Sequence, residues 1–346
     1  MTLLASWRQV REPLISVVGA LIAGGLLMVA SGHNPLTAYL AMFQTSLLGS
    51  GLEATLGRAI PIVGLALATA VAFRSGFFNL GGEGQFVLGG LTAAVVCLYL
   101  PLPGILLIFA AFAGATLVGG CWAWLGADWE SRFGVPLLIS SLLLNYPARL
   151  LASYLASNPL RDVGSGLPQT HVIPEPAQLA GAASGRFHVG LIIVLFLAVA
   201  VAWVFWRTVF GYRMRVTGLN RRFARYGGID TGRLGRRVMF ASGALAGLIG
   251  AIQIMGVHFR FIDGALTRPF YAWTGLMVAL LARSRPVGVV VGGFFFAAVQ
   301  TGGFGMERAV EVPRELAQVI QAFIILFVAV GARRSVRDLE EGEAHA

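Results

Sequence analysis

Residues 207–237 read RTVFGYRMRVTGLNRRFARYGGIDTGRLGRR, nine arginines with a single acid, Asp230, set between two long apolar stretches. The chain as a whole is 57% hydrophobic and only 12% charged, so this is its densest concentration of charge. Short basic loops of membrane proteins stay on the cytoplasmic side, because translocating them is disfavoured. The segment therefore orients the chain, and it is long enough to serve as a docking surface.

Working outward, apolar runs near the length of a bilayer crossing recur on both sides of this loop, and mean hydropathy is +0.76 over 346 residues. That pattern predicts an all-α, polytopic bundle of transmembrane helices. Spans are expected at 14–31, 56–73, 84–100, 104–126, 135–156, 188–208, 238–258, 270–283, 286–304 and 315–332. Ten spans put both termini on one side. With the basic loop inside, 18 arginines fall on the inner face and six on the outer, with Arg58 and Arg149 at membrane depth. This asymmetry predicts an N-in, C-in topology. The run after Arg8 and Arg11 reads as a retained first span rather than a cleaved signal. Residues 36–52 read as amphipathic, interfacial or re-entrant, and 270–283 as a short span or half of a broken helix. Residues 157–187, with four prolines, are expected as an extracytoplasmic loop within a single transmembrane domain, 1–346.

Composition also excludes chemistry. The net charge of +10 is carried by loop arginines, as the positive-inside bias requires, so nucleic acid is not an expected partner. No lysine occurs anywhere, which removes a Walker lysine and a Schiff base. Cys97 and Cys121 sit inside apolar runs and make neither a disulfide framework nor a metal pattern. Scattered histidines give no ligand spacing. No cofactor, metal or catalytic residue is expected, and the chain reads as a transport component rather than an enzyme.

Polar residues inside apolar runs are costly and face a bundle interior or a water path. By that rule Asn79, Glu83 and Gln85, Asn145 and Arg149, and Gln253 are candidates to line a translocation path. Each has a plainer alternative. Glu83 fits the first turn of a cytoplasmic helix, Arg149 can snorkel outward, and Gln253 can bridge helices. Gly114, Gly119, Gly120, Gly243, Gly247 and Gly250 read as helix contact positions.

Four stretches together resemble the permease subunits of bacterial ABC importers for nucleosides and simple sugars, within the branched-chain, ribose and nucleoside permease group. They are FRSGFFNLGGEGQFVL at 73–88, SSLLLNYPA at 140–148, GYRMRVTGLNRRFARYGGID at 211–230 and LMVALLARSRPVG at 276–288. The resemblance implies a type II-like importer permease in the bacterial inner membrane. Its implied partners are an ATPase, a second permease copy or chain, a solute-binding protein outside, and a small-molecule solute. An ion-coupled carrier of small polar solutes is the competing class.

The resemblance also implies that 207–237 is the cytoplasmic coupling loop, with Arg213, Arg215, Gly218, Asn220, Ala224, Arg225, Tyr226 and Gly228 meeting the ATPase. Within it, Asn220 can cap a short helix through Ala224–Tyr226 that Gly227 and Gly228 end. Two departures from the family pattern stand out: PFYAWTG at 269–275, and Arg222–Phe223 before Ala224.

Overall fold

In the computed structural model, the described residues are 18–179, 181, 189–311, 315, 316, 318–320, 322, 323 and 326. The start of the first expected span, most of the tenth (315–332), and the terminal arginines lie outside them. The described chain is helical and contains no strand. Its elements are α1 (Val18–Ala30), α2 (Pro35–Leu47), α3 (Ser50–Phe73), α4 (Gly82–Tyr99), α5 (Gly104–Phe133), α6 (Leu137–Leu143), α7 (Asn145–Ser157), α8 (Gly190–Arg207), α9 (Val209–Leu219), α10 (Arg221–Tyr226), α11 (Thr231–Gln253), α12 (Tyr271–Leu281) and α13 (Pro286–Val310). Six helices are long and apolar enough to cross a membrane: α3, α4, α5, α8, α11 with the π turn that extends it to His258, and α13. The chain is thus a multi-pass helical membrane protein. α1 and α12 are apolar but shorter.

The expected span at 135–156 is in fact two helices. Pro147 has no N–H to offer the carbonyl of Leu143, and the α6–α7 junction falls at Leu144, which keeps φ −62° and ψ −15°. The 36–52 segment splits as well: α2 ends at Leu47, and Ser50 already belongs to α3. Within the basic segment α11 already begins at Thr231, capped by the Asp230 carboxylate on the N–H groups of Gly232 and Arg233. The Arg233 backbone hydrogen bond, ahead of the other neighbouring groups, holds that carboxyl below the usual carboxylate range.

The described residues fall into two compact units. In the unit of residues 1–55 and 295–346, Asn34 caps α2 through the Leu36 N–H, and the Thr55 hydroxyl donates to the Ser46 carbonyl at 2.7 Å. In the unit Leu56–Phe294, α11 packs against both α4 and α5. Lipid supplies no hydrophobic force between spans, so close backbone packing must hold them together. Glycines allow it here. A Cβ on Gly89 would overlap the Gly247 backbone, one on Gly119 the Gly243 carbonyl, and one on Gly247 the Ala115 carbonyl.

The segment after α7 is pinned rather than loose. Thr170 N–H donates to the Phe261 carbonyl at 2.9 Å, Ile173 N–H to Phe259 at 2.8 Å, and Leu179 N–H to Met255 at 2.8 Å. Phe259, at φ 54°, ends the π turn and directs the chain into this pairing.

Candidate functional site

Between α3 and α4 the backbone leaves helical geometry from Phe77 to Gly81. A stretch like this cannot stand in hydrocarbon unless its peptide groups find partners in the protein. Side chains provide them. The Asn145 amide donates to the Leu80 carbonyl at 2.9 Å and accepts the Gly84 N–H at 2.8 Å. The Ser141 hydroxyl accepts the Leu80 N–H at 3.1 Å. Asn79 and Gln85 pair through both amide groups at 2.9 and 3.0 Å, and Asn79 also donates to the Ser242 hydroxyl at 2.8 Å. Ser242 in turn donates to the Ala68 carbonyl at 2.7 Å, tying α11 to α3.

Asn79, Gln85 and Asn145 are therefore fully engaged, buried groups that build the break in the helix. Removing Asn145 leaves a carbonyl and an N–H without partners, and each orphaned buried group costs about 1–3 kcal/mol. Asn145→Ala is expected to lower the thermal unfolding temperature of the detergent-purified protein by several degrees, whereas Asn158→Ala, on the exposed end of α7, leaves it unchanged.

The break delivers Glu83 into the first turn of α4, buried at 8% exposure. One carboxylate oxygen meets the Arg149 guanidinium at 3.2 Å, and the other accepts the Trp273 indole N–H at 3.0 Å. Arg149 also lies over the Tyr146 ring at 5.1 Å. Glu83 sits in a first helical turn and lines a cavity. Arg149 turns to Glu83 rather than only reaching outward. The cavity, ≈ 360 Å³, is lined by the charged Glu83, Arg149 and Arg268 and the aromatic Tyr146, Phe270 and Trp273, with Asn145 and Thr267 between them. A second cavity of ≈ 260 Å³ shares Tyr146, Arg149 and Thr267 with it. There Ser153 donates to the Asp263 carboxylate at 2.8 Å. Carboxylate and guanidinium charges thus alternate along a lining whose flat faces are aromatic.

Gln253 is placed elsewhere. It is buried at 2% exposure, lines neither cavity, and its amide nitrogen has no hydrogen-bond partner. Trp273, Asp263 and Ser153 were not picked out by sequence reasoning. Only the first left a trace, as part of the departure at 269–275.

A second feature lies at the basic end of the bundle. α10 is one and a half turns long. The Asn220 side chain accepts the Phe223 N–H at 2.9 Å, and the chain closes through Gly228 at φ 79°, with the Ile229 N–H on the Ala224 carbonyl at 3.0 Å. The expected cap and stop are both present. Ala224 is fully buried, whereas Leu219, Phe223 and Tyr226 are 88%, 65% and 90% exposed.

The helix is tied inward by its arginines. Arg225 donates to the Thr231 hydroxyl at 2.9 Å, and Arg221 lies over the Phe77 ring at 5.1 Å with Glu130 3.8 Å away. At Gly218 the α9 terminus runs so close to the Arg74 carbonyl that a Cβ would overlap it. Arg213 is exposed and Arg215 half-buried. Burial first, and then the nearby Arg215 and Arg285, lower the Arg74 pKa from its ordinary value.

Among the described residues no group of histidine, cysteine and carboxylate side chains could hold a metal ion. Residues 51–329 match the model of the family described as "Branched-chain amino acid transport system / permease component". Similar curated proteins include the glucose ABC transporter permease protein TsgB13 of Haloferax volcanii, 34% identical over 93% of this chain and 88% of that protein. The guanosine ABC transporter permease protein NupP of Bacillus subtilis is 31% identical over 92% of each chain. The nucleoside ABC transporter permease protein NupB of Lactococcus lactis is 29% identical over 93% of this chain and 91% of that protein.

Proposed function

The chain belongs to the branched-chain amino acid transport system permease component family, and from that membership we propose that it is the membrane subunit of an ATP-driven importer for a nucleoside, nucleobase or related sugar. In this reading it spans the bacterial inner membrane about ten times, N-in and C-in, with α10 on the cytoplasmic face. It pairs with a second permease, a solute-binding protein outside and an ATPase inside. Hydrolysis belongs to the ATPase, since this chain has no lysine to hold a nucleotide phosphate in a Walker motif.

The observation that carries the reading is α10: a capped short helix whose buried Ala224 leaves Phe223 and Tyr226 standing out of a basic surface. Arginines suit bidentate pairing with carboxylates on a partner, and the two rings suit a groove. Movement of α10 has a material route inward. Gly218 abuts Arg74, and the chain from Arg74 leads through the Asn145-held stretch to Glu83. Closure of the ATPase then shifts packed elements that reach the cavity, as in hinge and shear transitions.

The cavity supports a solute that is flat and uncharged overall. Glu83 pairs with Arg149, Arg268 of this cavity is offset by Asp263 of the adjoining one, and the rings of Tyr146, Phe270 and Trp273 offer stacking faces. The test is uptake of labelled guanosine and glucose into liposomes holding the permease pair, the ATPase and the binding protein. Uptake is expected to require ATP on the side of the ATPase. Equal uptake by the permease alone under an ion gradient would refute the proposal.

A further inference from the structure

A pocket of ≈ 410 Å³ opens between α5 and α11, lined by Trp124, Arg233, Arg236, Arg237 and Phe240. It is separate from the Glu83 cavities and shares only Arg236 with the cavity beside α10. The three arginines follow an i, i+3, i+4 spacing in the first turns of α11, so they project from one side of the helix. Arg233 pairs with Asp230 at 3.1 Å, Arg236 donates to the Ser131 hydroxyl at 3.0 Å, and Arg237 is exposed. Three guanidinium groups thus face one carboxylate, itself more than half exposed.

At Phe240, seven residues from Arg233 and three from Arg237, the lining changes character. Phe240 packs over Gly120 of α5, and Trp124 stands beside it, both half-buried. On a helix, seven residues are about 10 Å. The pocket therefore grades from cationic to aromatic along an axis that follows two membrane-spanning helices. The zone of lipid headgroups has a similar thickness, roughly 5–8 Å on each side of the hydrocarbon.

We infer that this pocket is a binding site for an anionic phospholipid, with the headgroup phosphate held by Arg233, Arg236 and Arg237 and the acyl-glycerol end resting on Trp124 and Phe240. Guanidinium groups match a phosphate diester geometrically as well as electrically, and each basic side chain near a membrane surface adds to the attraction for anionic lipid. A soluble protein could reach the arginines but not the two rings, which lie within the spans. A free anion would use the arginines and leave the aromatic wall unoccupied.

The test uses the full chain in its assembled complex, purified from bilayers containing equal amounts of phosphatidylglycerol and phosphatidylcholine, with retained lipid counted by native mass spectrometry. The wild type is expected to hold phosphatidylglycerol preferentially, and Arg233→Gln with Arg237→Gln to lose roughly tenfold of that preference. Arg237→Gln alone, at an exposed position that folding does not need, loses a smaller part. Arg132→Gln with Arg207→Gln, removing the same charge elsewhere, keeps it. The inference is overturned if the control pair loses as much, if inorganic phosphate displaces the lipid, or if both lipids are retained alike. It is overturned as well if the Arg233 and Arg237 variant sheds the ATPase while holding its lipid.

Discussion

Serine at both Phe223 and Tyr226 is expected to stop ATP-dependent uptake while leaving the helix bundle folded. Both rings project from the face of α10 opposite the buried Ala224, and neither supports the packing beneath it. Large aromatic side chains at the centre of an interface each account for about 2 kcal/mol or more on truncation, so losing even one such contribution weakens ATPase association at least ~30-fold. Folding should be insensitive, because the helix is fixed by the Asn220 cap, the Gly228 stop and the Arg225–Thr231 hydrogen bond. The measurement is co-purification of the ATPase together with stimulation of its hydrolysis by the binding protein. Wild-type association in the double variant, with uptake intact, would remove α10 from the coupling surface. Arg222→Gln, on the same exposed helix, gives a useful gradation: a rim charge should alter the salt dependence of association more than its strength.

The second large effect is on assembly of the bundle. Valine at Gly247 is expected to abolish recovery of folded protein. The Cβ alone would overlap the Ala115 carbonyl, and Gly119 stands immediately beside it on α5. Backbone on both sides cannot yield in the way a flexible side chain can: moving α11 off α5 gives up the Gly119–Gly243 contact, and the way toward α4 is closed by Gly89, which already abuts the Gly247 backbone. Overpacking in a well-packed core costs typically 1–3 kcal/mol, and displacement of two spans exceeds that. Size-exclusion profiles of a fluorescent fusion report it directly. Gly166→Ala, in the segment after α7 with open space around it, should elute as the wild type does. A monodisperse Gly247→Val protein would mean that the α5–α11 contact is not what holds this unit together.

What the sequence made legible was whatever is written locally. The apolar runs gave the long helices, because twenty or so such residues have few other uses. Asn220 and Gly228 announced α10 because capping and stopping are chemistry between residues two to five apart. The glycines of α5 and α11 carried the close contacts they predict. The extended stretch at 77–81 was less legible. Its glycines hinted at a break, but its partners Ser141 and Asn145 lie more than sixty residues on. The Glu83–Trp273 hydrogen bond spans 190 residues, and nothing in either neighbourhood implies the other. The junction at Leu144 was marked in the sequence only by Asn145 and Pro147, inside a segment apolar enough on both sides to read as one span. Gln253 has the composition of a path residue but is packed among buried side chains in the last turn of α11, a distinction that polarity along a chain does not contain.

The Asn145 amide holds positions on both sides of the turn into α4, Leu80 and Gly84, with one rigid group. Neither helix can slide past the other without breaking both bonds at once, so the start of α4 and the start of α7 form a single mechanical block. α12 reaches the same block at Glu83 through the Trp273 indole, and its Gly275 lies directly on the α3 backbone at Ala66. One bond is easier to exchange than two. Loss of the indole N–H, as in Trp273→Phe, is therefore expected to free Glu83 from α12 while leaving the α4–α7 block intact.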